Sequence, residues 1–195
     1  MVQHRASAIA AGDELARERA VLRRQLAGTN IDENSFLATD YLNHFNEVIM
    51  LLELAPDMPE ALEEVRDWRP ISYPEHFRRT GFRDKELAIA AYELAPPEVR
   101  EAFDARSREL GERILETLAA VAPLAADGDA AALAAELQPR LEEIRALVSA
   151  INGIVHCGPG GIEEVGAVAA PGAGGDDAGE DADSISQADI DALFD

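Results

Sequence analysis

Apolar residues recur three and four positions apart along most of the first 157 residues, the spacing of amphipathic helices. Ala6 to Leu26 reads as a polar, arginine-rich helix, and Ala27-Gly28-Thr29-Asn30 stops it with a glycine. A second helix is predicted from about Asp32 to Leu54, with Leu37, Tyr41, Phe45, Val48 and Leu52 as its buried stripe and Pro56 and Pro59 closing it. Pro59 then sits near the first position of a short helix over PEALEEVRDW. The stretch RPISYPEHFRRTGFR, Arg69 to Arg83, contains two prolines and a glycine. It reads as an ordered surface loop anchored by Tyr73, Phe77 and Phe82. Asp84 caps KELAIAAYELA, and Pro96-Pro97 breaks that helix. From Pro97 to about Ala122, Val99, Phe103, Leu110, Ile114, Leu118 and Val121 form a heptad-like stripe. PLAADGD turns the chain. A last helical region, Ala130 to about Val155, turns Ile144, Leu147, Val148, Ile151 and Ile154 or Val155 inward, and Pro139 marks a kink or a restart. No stretch reads as a convincing strand. The expected fold is therefore all-α, a helical bundle of long antiparallel helices.

The pattern changes after His156. CGPGG and PGAGGDDAGEDADS offer too little apolar surface to offset the entropy of ordering them, so residues 158–184 are expected to form a flexible tether. A helix signal then returns in ISQADIDALFD. Ser186 is a natural N-cap, with Asp189 three residues on as in a capping box, and Ile185 and Ile190 stand at the two positions of a hydrophobic staple. Ile190, Leu193 and Phe194 make an apolar edge. So short a helix is marginal alone, since isolated helices below roughly 12 residues hardly form in water. It is expected to fold in the groove of a partner, or to dock on its own body. The resulting division is an N-terminal helix over 1–29, a helical bundle over 30–157, the linker over 158–184 and a docking helix over 185–195.

Charge narrows the partners. The 195 residues carry a net charge of -21, and from Pro171 onward there are eight acids and no Lys or Arg. Such a chain is repelled by nucleic acid and by anionic membrane surfaces. Cys157 is the only cysteine, which excludes an intramolecular disulfide. Nothing in the sequence reads as a signal-peptide core or a membrane span, so the expectation is a cytoplasmic protein without membrane insertion.

SQADIDALF resembles the peptide that opens the flagellar switch protein FliM, which in that family is a docking helix for the phosphorylated response regulator CheY. Here the peptide stands at the other end of the chain, and nothing upstream resembles the folded domains of FliM. The layout instead is similar to that of CheZ, the CheY-phosphate phosphatases, with a helical body, a linker and a C-terminal CheY-binding helix. This resemblance implies a regulator of chemotaxis or flagellar motility. Its partner would be a CheY-like receiver domain, contacted by Ile185, Ser186, Gln187, Asp189, Ile190, Leu193 and Phe194. Its body would be a homodimer or a monomer. It would need no cofactor of its own, because the aspartyl phosphate and the Mg ion belong to the receiver.

Phosphatases of that kind place an amide to orient the attacking water and a carboxylate to engage the receiver's lysine. CheZ-like proteins use an acid and a Gln one turn apart, and the unrelated CheC and CheX proteins use Glu-x-x-Asn. No good acid-x-x-x-Gln is present on any predicted helix. ATDYLNHFNEV does hold Asp40 and Asn43 one helical turn apart, and these are the candidate catalytic pair. An ordinary polar helix face gives the same spacing. His44 and Glu47 extend that face and raise two further readings, a metal site with Asp40 and a phosphotransfer histidine. His156-Cys157 reads as a helix end rather than a nucleophilic dyad. Finally, Arg69, Arg78, Arg79 and Arg83 form a basic patch in an acidic chain, fit either to contact an acidic partner surface or to pair with the chain's own acids.

Overall fold

In a computed structural model, the backbone is described for residues 2–158 and the side chains for residues 12–158; the expected tether beyond 158 and the expected docking helix at 185–195 lie outside the described residues. The chain is mostly helical. Among the described residues there are seven α-helices and no strand: α1 Val2–Leu26, α2 Asn43–Leu54, α3 Ala61–Val65, α4 Tyr73–Arg79, α5 Lys85–Leu94, α6 Pro97–Asp127 and α7 Ala130–Cys157.

The long helix expected from Asp32 does not form until Asn43. Asp32 Oδ1 accepts the backbone N–H groups of Asn34 (2.8 Å) and Ser35 (2.9 Å), a local alternative to helix that short polar side chains provide. Phe36 then takes a left-handed conformation, φ 64°, rare for a residue with a bulky side chain. Its ring is wholly buried, and that burial holds the conformer in place. An isolated bridge joins Ile31 to Ala38, and a 3-10 turn, Thr39–Leu42, leads into α2.

The expected loop between Arg69 and Arg83 contains α4. Pro74 lies in its first turn beside Glu75, and His76, Arg78 and Arg79 lie in its last turn, which matches the helix dipole at both ends. Neither Pro123, which opens the expected turn, nor Pro139, the expected kink or restart, ends its helix. Pro123 and Pro139 sit inside α6 and α7, both exposed, and the turn falls at Gly128, φ 72°, and Asp129. The Asp129 carboxylate caps α7 by accepting Ala132 N–H at 2.9 Å. Helices α6 and α7 fold back on each other, tied across the pair by Arg113–Glu143 at 3.3 Å.

One core joins these elements. Leu22 and Leu26 of α1, Phe45, Val48 and Leu52 of α2, Phe103, Leu110 and Ile114 of α6, and Leu137, Ile144 and Ile151 of α7 are all buried. Where α2, α4, α5 and α6 meet, the core is aromatic: Tyr41, Tyr73 and Phe103 approach one another with centroids 5.4–5.6 Å apart, and Tyr73 stacks on Tyr92 at 4.9 Å. Two hydroxyls inside this lattice fix the start of α2. Tyr73 accepts the backbone N–H of Ala38 at 2.9 Å, and Tyr41 donates to the carbonyl of Ile71 at 2.8 Å.

Candidate functional site

The lattice positions the segment that carries Asp40 and Asn43. Asp40 lies in the 3-10 turn and is half-buried, whereas Asn43 opens α2 and is exposed. The Asn43 backbone N–H bonds to the carbonyls of Asp40 and Tyr41, so the two residues share one continuous turn. The backbone thus keeps the two residues the one turn apart that their spacing implies. Asp40 is half-buried, and its charge acts on the His76 ring.

His44 is committed to structure. Its Nε2 lies 3.0 Å from the carbonyl of Arg69, and its ring stacks on Trp68 at 5.0 Å. Trp68 Nε1–H in turn donates to the carbonyl of His44 at 3.3 Å. A carbonyl only accepts, so Nε2 carries the proton and Nδ1 is the remaining lone pair. This reciprocal clasp fastens the segment before α4 to α2. Burial lowers the pKa of His44, against the Arg69 hydrogen bond, and likewise that of His76, against the hydrogen bond and charge of Asp40. Both rings are held neutral, 6.3 Å apart.

Asp40, His44 and Glu47 do not converge. Among the described residues, no group of three or more His, Cys, Asp or Glu is placed to hold a metal ion. The phosphotransfer reading of His44 also loses ground, because one ring nitrogen is engaged and the ring is half-buried against Trp68. Cys157 is exposed at the end of α7.

The four arginines of the basic segment divide. Glu75 takes both Arg79 (2.7 Å) and Arg78 (3.4 Å), and Arg83 lies 3.5 Å from Asp84. Among the described residues, Arg69 donates only to the carbonyl of its neighbour Trp68, at 2.6 Å. Arg69 and Arg79 both border His44, Arg69 through its carbonyl and Arg79 through the charge it exerts on the ring.

Further in, burial and the charge of Asp104 push the Tyr41 hydroxyl up to about 12. Burial also raises the hydroxyls of Tyr73 and Tyr92. Tyr92 donates to both oxygens of Asp104, at 2.9 and 2.8 Å, and burial raises that carboxyl although the Tyr92 bond opposes it. Tyr41 and Tyr73 are buried and Tyr92 and Asp104 half-buried, and together they set the frame.

One feature of the site escaped the sequence reading. At ~100° per residue, Asn43, Glu47, Met50 and Leu54 fall within about 60° of one another on α2, opposite buried Leu52. Met50 is 52% exposed and Leu54 42%. The signal was available in the i, i+4, i+7, i+11 spacing, but two apolar residues on a helix read most simply as core. Asn43 thus stands at one end of an outward stripe whose other half is apolar. No family model matches this chain, and neither does any curated protein or solved structure.

Proposed function

We propose that this protein regulates chemotaxis or flagellar motility by binding a CheY-like response regulator through residues 185–195 and promoting loss of its phosphoryl group. The observation that carries the proposal is the segment SQADIDALF, with its cap, staple and apolar edge. The tether raises the local concentration of the captured regulator at the helical bundle, to the order of millimolar for a short flexible linker.

The body supplies what the reaction needs from a helper. Asn43 is exposed on a helix start that Tyr41 and Tyr73 pin in place, so its amide is positioned to orient a water. In the step proposed, the water oxygen bonds to phosphorus and the receiver's aspartyl oxygen leaves with the electrons of the broken P–O bond. The two protons of the water stay with the inorganic phosphate that is released or pass to solvent, and the metal that balances its charge belongs to the receiver. Asp40 engages the receiver's lysine, and Met50 and Leu54 continue the contact as apolar surface that excludes water.

A second reading has one observation in its favour. Asp40 is half-buried beside His76, which suits a structural acid. A non-catalytic adaptor would use the tail and leave Asp40 and Asn43 idle. Phosphate release from the activated receiver separates the two. Wild type accelerates it and Asn43→Ala does not if the body is catalytic. Equal rates with and without the protein, alongside retained binding, leave the adaptor.

A further inference from the structure

A groove runs between α3 and the second half of α6, with a volume of about 820 Å³. Its floor is apolar, built from Leu62, Leu115, Leu118 and Ala122, and Arg66 and Arg69 stand on its rim. Methyl side chains on the floor allow a second helix to approach closely. Arg66 is matched by Glu63 on the same rim, whereas among the described residues Arg69 reaches only a backbone carbonyl. We infer that residues 185–195 of the same chain dock in this groove in cis when no partner holds them. This rests on the reading of those residues as a docking helix, and it adds regulation to that reading.

Three observations select this occupant. The first is shape: Ile190, Leu193 and Phe194 give one apolar edge to set on an apolar floor. The second is charge. Arg66 and Arg69 balance Glu60 and Glu63 along the groove, so it does not repel Asp189, Asp191 and Asp195, while Met50 and Leu54 on α2 lie beside Glu47, Glu53 and Asp57, of which Glu53 pairs with Arg145, and the exposed surface at Val21 carries Glu14, Glu18 and Glu93 against Arg17. The third is reach. Gly158 packs against Asn34, and the Arg113–Glu143 pairing places it level with the start of α6. The groove then begins about 25 Å along α6 and ends about 40 Å along it, at 1.5 Å per residue. The 26 residues 159–184 span up to about 85 Å when extended, so the tail reaches without strain.

Docking hides the apolar edge that the partner needs. The apparent affinity for the partner then falls by the fraction of free tail. The test uses the full chain with a nitroxide at position 192, through Ala192→Cys in a Cys157→Ser background, and reads paramagnetic broadening of methyl signals. Ala119, Ala122 and Leu118 methyls broaden and those of Met50 and Leu54 do not. Broadening survives dilution and mixing with unlabelled protein. In Ala122→Arg, which fills the groove, the effect at Leu118 is lost, and binding of an activated receiver tightens at least about threefold. No broadening in the groove, broadening centred on α2, or broadening that disappears on mixing each overturns docking in cis. The broadening involves no receiver, so docking without receiver binding sinks the proposed function alone, and receiver binding without broadening sinks the docking alone.

Discussion

Removing one oxygen atom tests whether the tyrosine lattice sets the start of α2. In Tyr73→Phe the ring keeps its neighbours, Phe77 at 4.7 Å, Tyr92 at 4.9 Å and Phe103 at 5.6 Å, so packing is conserved. The backbone N–H of Ala38 loses its acceptor at 2.9 Å. Ala38 is wholly buried and Tyr73 is 2% exposed, so bulk water does not replace the bond. A buried donor left unsatisfied costs about 1–3 kcal/mol, more than the net value of an ordinary hydrogen bond. Taking about 2 kcal/mol, and about 2–4 °C per kcal/mol for a domain of this size, Tm falls by about 4–8 °C. Urea unfolding should show a lower midpoint with an unchanged slope, since the surface exposed on unfolding is the same. Amide exchange at Ala38, Thr39 and Asp40 should quicken beyond the global change. A loss below about 0.5 kcal/mol, with unchanged exchange, would refute the reasoning that this hydroxyl anchors the Asp40–Asn43 turn.

Other perturbations follow from the same geometry. Asn43 is exposed and its side chain carries no bond among the described residues, so Asn43→Ala should change stability by less than about 0.5 kcal/mol in urea unfolding while removing acceleration of phosphate release. His44 and His76 both have pKa values lowered by burial, so the fold prefers them neutral. Their contribution is fully present above the unfolded value of 6.5 and is lost as pH falls through the lower folded values; stability measured from pH 7.5 to 5.5 should decline, and less so in His44→Gln. Asp104, raised by burial, works in the opposite sense at more acid pH, where the folded state takes its proton more readily. At Gly111 a Cβ would meet Pro70 Cβ at 2.9 Å and Cγ at 3.1 Å. The helix gains roughly 1 kcal/mol from Gly→Ala, but the Pro70 segment must move and loosen the His44–Arg69 clasp. Gly111→Ala should therefore shift the Trp68 indole resonance whatever the sign of its net stability change.

Long periodic stretches were legible because burial repeats along them. Val99, Phe103, Leu110 and Ile114 all face the core as their spacing requires. Two kinds of feature were not. At Asp32 a side-chain carboxylate competes with the backbone for N–H groups, and at Phe36 tertiary burial pays for a left-handed residue; neither shows in a hydrophobic period. Around α4, Pro70, Pro74 and Gly81 outweighed a proper helix signal in Tyr73–Arg79, and the exposed Pro123 and Pro139 did not break their helices. At the site, the spacing of Asp40 and Asn43 was readable, but not the half-burial of Asp40. The clasp that gives His44 a structural role depends on Trp68 and Arg69, more than 20 residues away in sequence.

The most direct measurement is a fluorescence anisotropy titration of a peptide of residues 182–195 against the CheY-like receivers of the same genome, each with and without a phosphoryl mimic. The account predicts saturable binding to at least one receiver, tighter in its activated form and abolished by replacing Ile190 and Phe194 with Asp. Absence of binding to every receiver, in both forms, would contradict it.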